Sequence, residues 1–259
     1  MRWYKIKALM FRDFKIITRC KFRLVELFYF PLTTILIWGL FSIFTRNISV
    51  ETGIMVLAVN IFWSFAHLSQ FTTNIQINQD FWSGSFRQVM ASGFTRFEYM
   101  FARIVSSTVS SAAIMVYMLL IASIFGLTIF FEQPGMTLAL SGITLIGSMA
   151  LAITVTALIL FLGREYAFLA WTLLEGFILL SAPVYPVDVF PEALQHLAQV
   201  MPFTNIFAGV REMISFGTLN PAFLVNGLVI AIAYLIISIP LYHFSFKRAK
   251  GNGTLSRMD

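Results

Sequence analysis

The chain has 259 residues, 58% of them hydrophobic and 12% charged, with a mean hydropathy of +0.82. A soluble domain carries charge on about a quarter of its residues, so the composition excludes a soluble enzyme or binding module. The net charge of +6 sits at the chain ends and in short loops, which points to a membrane surface and not to nucleic acid.

No low-complexity linker and no internal repeat interrupts the sequence, so a single membrane domain over residues 1–259 is expected. Cys20, the one cysteine, cannot form an intrachain disulfide. Residues 1–23 carry Arg2, Lys5, Lys7, Arg12, Lys15, Arg19, Lys21 and Arg23, with Trp3, Ile6, Met10, Phe14 and Ile17 at helical spacing. This pattern predicts an interfacial amphipathic helix whose basic residues meet lipid headgroups.

A first span is expected from about Leu24 to Phe44 with Pro31 near its start, followed by a polar hairpin from Arg46 to Thr52. A second span begins near Ile54, and Asn60, Ser64, His67, Asn74 and Asn78 follow one face of it. Such a stripe does not face lipid tails; it either bonds neighbouring helices or lines a path through the bundle. His67 has no Cys, Asp or second His at ligand spacing on its helix, so no metal site is read there.

Between the second and third spans, residues 80–103 hold two capping-box patterns, Ser85 with Gln88 and Thr95 with Glu98. They predict two helices, the first bracketed by Gly84 and Gly93, with Phe86, Val89 and Met90 on one apolar face. That face is expected to find no room for burial within its own loop and to turn to a partner protein, with Asp80 and Arg87 as rim contacts.

The third span is expected over Ile104 to Phe131, its early Ser106, Ser107, Ser110 and Ser111 permitting close helix approach, and the fourth over Met136 to Leu162. A short fifth span, Tyr166 to Ala182, contains Glu175, which must face the bundle, a cavity or a partner. Residues 183–216 are broken by Pro183, Pro186, Pro191 and Pro202 into amphipathic pieces too short to span, one with Leu194 and Leu197, the next with Phe203 and Phe207. A sixth span follows over Ala222 to Phe244. Of the 18 Lys and Arg residues, all but Arg46 and Arg211 fall on one side of this topology, which places both termini and the capped loop in the cytoplasm.

Asp80, Gly84, Ser85 and Phe97-Glu98-Tyr99 in the capped loop, with Tyr185-Pro186, Phe190-Pro191, Pro202-Phe203-Thr204 and Arg211 before the last span, resemble the membrane subunits of type-2 ATP-binding cassette exporters. Phe86 departs from the leucine common there. The resemblance covers nearly the whole chain and implies an all-α polytopic permease of six transmembrane helices in a cell membrane. It further implies pairing with a second copy or a paralogous permease, and docking on a separate ATP-binding subunit that carries ATP and Mg. This chain has no Gly-x-x-x-x-Gly-Lys-Ser/Thr run, so it is not expected to bind ATP or act as an enzyme.

On this basis Asp80, Ser85, Phe86, Arg87, Val89 and Met90 form the expected coupling site to the ATP-binding subunit. Asn60, Ser64, His67, Asn74 and Glu175 form the expected path, and Tyr185, Leu194, Leu197, Phe203, Phe207 and Arg211 an external gate. A drug-like amphiphile or lipid is the first substrate class and a lipid-linked polysaccharide the second. An ion-coupled secondary transporter and an intramembrane enzyme using Glu175 and His67 are the alternatives from other classes.

Overall fold

The computed structural model describes residues 2–45 and 49–251, so Arg46 and Arg257, which entered the charge count, lie outside the described residues. The chain is all-α: no strand occurs among the described residues. In order, the helices are α1 Trp3–Arg19, α2 Lys21–Phe44, α3 Val50–Trp82, α4 Ser85–Ala91, α5 Arg96–Ile124, α6 Ile129–Glu132, α7 Pro134–Leu162, α8 Leu169–Leu180, α9 Glu192–Gln199, α10 Thr204–Phe216 and α11 Pro221–Gly251. Among the described residues, five of them are long and apolar enough to cross a membrane: α2, α3, α5, α7 and α11.

Helix α3 is the centre of the bundle, packed against α2, α5, α7, α8 and α10, while α7 and α11 form a second long pair. Leu57, Ile61, Phe62 and Phe65 of α3 meet Met118 of α5, Leu140 and Leu151 of α7 and Phe203 and Phe207 near α10 in one core. A separate core gathers Ile6, Phe81, Phe86, Tyr99, Leu160, Tyr242 and Phe246 at the end of the bundle shared by α1, α4 and the last turns of α11, here called the basal end. Close approach of α3 and α5 is made by small hydroxyl residues, Thr73 and Ser107 sharing a hydrogen bond of 2.5 Å.

Three of the expected boundaries move, each for a local reason. The third span does not run to Phe131: α5 stops at Ile124, where Gly126 takes a positive φ of 96° and the Leu127 N–H bonds back to the Ala122 carbonyl. That is a Schellman stop, and Phe125-Gly126 was its sequence signal inside an otherwise unbroken apolar run. Pro31 is not at a helix start, because α2 begins at Lys21 and carries Pro31 in its interior.

The expected fifth span is a 3-10 turn over Arg164–Phe168 followed by α8, a helix of 12 residues. At about 1.5 Å rise per residue it is roughly 18 Å long, short of a hydrocarbon core of about 30 Å. The chain nevertheless changes ends there. Phe161 lies under Arg248 at the basal end, 4.1 Å from the guanidinium, whereas the Ala182 carbonyl is held by Arg211 of α10 at the opposite end.

Candidate functional site

Two features stand out, a helix tied down at the basal end and a cleft on the side of the bundle. At the basal end the first turn of α4 follows Gly84, whose φ of 68° swings the chain out of α3. Ser85 does not cap α4 as its spacing with Gln88 predicts; its hydroxyl donates to Asp80 Oδ1 at 2.8 Å. The second box forms as read, with Thr95 accepting from the Glu98 N–H and Glu98 from the Thr95 N–H. Gly93, just past the end of α4, is left-handed as expected.

Asp80 is not a rim residue. It is 5% exposed and accepts from Arg12 Nη2 at 2.9 Å, from the Tyr99 hydroxyl at 2.6 Å and from Arg103. Arg103, itself fully buried, gives its other nitrogen to Asp13 Oδ1 at 2.6 Å. Two acids and two guanidiniums thus join α1, α3, α4 and α5, and each buried charge has an opposite charge in contact.

Helix α1 also holds the far end of α4. Lys5 Nζ donates to the Ser92 and Gly93 carbonyls at 2.9 and 2.7 Å, and Arg2 bonds both the Gly93 carbonyl and the Glu98 carboxylate. These carbonyls are the ones a helix end leaves free, and the negative end of its dipole favours a cation there. The Glu98 contacts raise the Arg2 guanidinium above its ordinary value. Hence Arg2, Lys5 and Arg12 do not reach for lipid headgroups as the amphipathic pattern predicts; they face protein.

The expected apolar docking face of α4 is also corrected. Phe86 is 4% exposed, its ring 4.6 Å from Phe81 and 5.1 Å from Tyr99, and Val89 and Met90 are half-buried against the same core. The sink for this face is the basal core of its own chain. Arg87, Gln88, Ala91 and Ser92 make up the exposed side.

The side cleft, of about 570 Å³, is lined by α2, α3 and α8 and brings together Asn60, Ser64, His67 and Glu175. His67 Nε2 stands 3.8 Å from Glu175 Oε1. Asn74 does not join them: its amide donates to the Ala152 carbonyl and to Thr156 Oγ1, both at 2.9 Å, and accepts from Gln70. The polar stripe of α3 therefore splits, its first half facing the cleft and its second half buried where α3 crosses α7. Trp63, Phe71 and Trp171, which polar periodicity does not flag, complete the wall.

The expected gate residues do not form one surface. Leu194 and Leu197 are exposed on α9, while Phe203 and Phe207 are buried in the main core. Tyr185 packs edge-to-face on Phe190 at 5.3 Å. Arg211 donates to the Ala182 and Pro183 carbonyls, both at 2.7 Å, and burial pulls its guanidinium below the ordinary value. Among the described residues no three His, Cys, Asp or Glu side chains gather as a metal site would require. No protein-family model matches this sequence, and no curated protein matches it.

Proposed function

We propose that the chain is the membrane subunit of an ATP-driven exporter, moving an amphiphile outward. The observation that carries the reading is the basal helix α4, rooted by Phe86, tied at its start to Asp80 of α3 and at its end to α1, and presenting Arg87, Gln88 and Ala91 outward. A short helix fixed this firmly between the ends of two long helices transmits a push to both, as docking on a motor subunit requires. The contact surface is the outer face of α4 and not the Phe86 face.

In this reading α8 and its preceding turn are the fifth of six crossings, kept short by neighbours that cover its ends. The basal end is cytoplasmic, and ATP and Mg reside on the separate subunit. Two copies, or one copy and a paralogue, close the side cleft, giving Glu175 and His67 a surrounding that a single bundle leaves open.

The test is purification of the tagged chain from its native membrane with its partners. An ATP-hydrolysing protein should accompany it, and Arg87→Glu combined with Ala91→Glu should abolish that association while the chain still inserts. Recovery of the intact chain with no ATPase, or full association of the double variant, counts against the proposal. One observation favours a second reading, an ion-coupled carrier: the His67–Glu175 pair facing the cleft. Transport driven by a proton gradient without ATP would select it.

A further inference from the structure

The side cleft carries a chemistry more specific than a path. Trp63 and His67 stand one turn apart on α3, and Trp171 and Glu175 one turn apart on α8, all four lining the same space. The His67 ring stacks on Phe71 at 5.5 Å, and Phe71 meets Trp171 at 5.6 Å, so an aromatic wall runs from one helix to the other. The Glu175 side chain is 45% exposed into this space, and no lysine or arginine is among the described residues that line it.

A carboxylate beside aromatic faces attracts a cation twice over, through its charge and through the negative face of each ring. Asn60 lines the same cleft. Leu27, Phe30 and Leu68 supply the apolar remainder of the wall. The cleft volume of about 570 Å³ lies within the range of sites for drug-sized molecules.

We infer that the cleft binds a monovalent organic cation with an aromatic or apolar body, its charge held by Glu175 among the rings of Trp63, Phe71 and Trp171. This names the cargo class of the exporter proposed above and rests on that reading for the role of cargo; the binding itself rests on the cleft. An anionic amphiphile meets Glu175 with like charge. A neutral lipid leaves the carboxylate with only its own neighbours, the Trp63 side chain that hydrogen-bonds it and His67, and gains nothing from the rings beyond burial.

The experiment uses the full chain in phosphatidylcholine nanodiscs without ATP or any partner, and measures binding of radiolabelled tetraphenylphosphonium against empty discs. Binding should saturate and be competed by unlabelled cation, while tetraphenylborate, an anion of the same shape measured separately, should show no saturable binding above empty discs. Glu175→Gln should weaken it at least tenfold, Glu175→Asp should recover part of that loss, and Trp171→Leu should weaken it about threefold. Each variant is first shown to be monodisperse with the parent's helical circular dichroism.

No saturable binding to the parent, equal binding to Glu175→Gln, or equally tight saturable binding of tetraphenylborate measured separately overturns the inference. The two proposals fail separately. A chain that binds the cation but recruits no ATPase refutes the exporter reading alone, and one that recruits an ATPase without binding the cation refutes the cation site alone.

Discussion

The Ser85 hydroxyl donates to Asp80 Oδ1 at 2.8 Å, so the first residue of α4 is fastened to the last turn of α3 and not to its own helix amides. The same carboxylate holds Arg12, Tyr99 and Arg103. A buried charge that loses its partner is far more costly than a lost neutral hydrogen bond. Asp80→Ala, which leaves Arg103 with Asp13 alone and the buried Tyr99 hydroxyl without its acceptor, should therefore destabilise the chain by about 3–5 kcal/mol, and Ser85→Ala by about 1 kcal/mol. Unfolding in lipid nanodiscs followed by tryptophan fluorescence checks the ratio; equal losses would mean that Asp80 acts as one more surface acceptor.

The two capping boxes show what local sequence specifies and where it stops. Thr95 and Glu98 close on one another because each finds its partner three residues away. Ser85 and Gln88 have the same spacing, but a carboxylate five residues earlier attracts the hydroxyl more strongly than a backbone amide does. The clamp of α1 on α4 joins residues more than 80 positions apart, Lys5 to Ser92 and Arg2 to Gly93, and no periodicity within α1 reveals it.

In the cleft, Asn60, Ser64 and His67 were legible as polar residues on an apolar helix. Trp63 and Trp171 were not, because in a chain that is 16% aromatic a ring facing a cleft looks like a ring facing lipid. The placing of the long helices was legible, but α3 and α5 begin before the expected Ile54 and Ile104, α11 runs past Phe244 to Gly251, and a Gly stop or a short helix interrupts an apolar run at Gly126 and α8.

The clamp predicts a local effect without a global one. Lys5→Gln together with Arg2→Gln removes the donors at the free carbonyls of α4 and leaves Phe86 seated. Amide hydrogen exchange across residues 85–95 should speed up at least tenfold, while α7 and the rest of the bundle keep the parent's protection. Unchanged exchange in that segment would show that Phe86 and Asp80 suffice to hold α4.

A strained turn lies at the opposite end. Ala182 has φ 48°, the one non-glycine residue among those described with positive φ, and its carbonyl and that of Pro183 accept from Arg211. Left-handed backbone costs a residue with a Cβ about 1–2 kcal/mol, and more when that carbon is branched. Ala182→Gly should be tolerated or slightly stabilising, and Ala182→Val should cost about 1–3 kcal/mol. Arg211→Met, which leaves two carbonyls without their donor, should cost about 1–3 kcal/mol. Thermal unfolding of the three variants checks the order; Ala182→Val as stable as Ala182→Gly would mean the turn relaxes freely.

The last prediction separates the two faces of α4. Phe86 is 4% exposed and touches Phe81, Tyr99 and Phe246, rings from α3, α5 and α11. Replacing a buried phenylalanine by alanine removes its transfer energy and leaves a cavity, about 3–5 kcal/mol together. Phe86→Ala should therefore lower the unfolding temperature and the yield of inserted protein, because the ring anchors α4 to three long helices. Arg87→Ala and Gln88→Ala, on the exposed face, should change stability by less than about 0.5 kcal/mol. If α4 docks on a motor subunit, those same two variants weaken co-purification although the chain itself is as stable as the parent. Loss of stability with Arg87→Ala equal to that with Phe86→Ala would mean that the outer face is also packed, and would remove the surface on which the proposed docking depends.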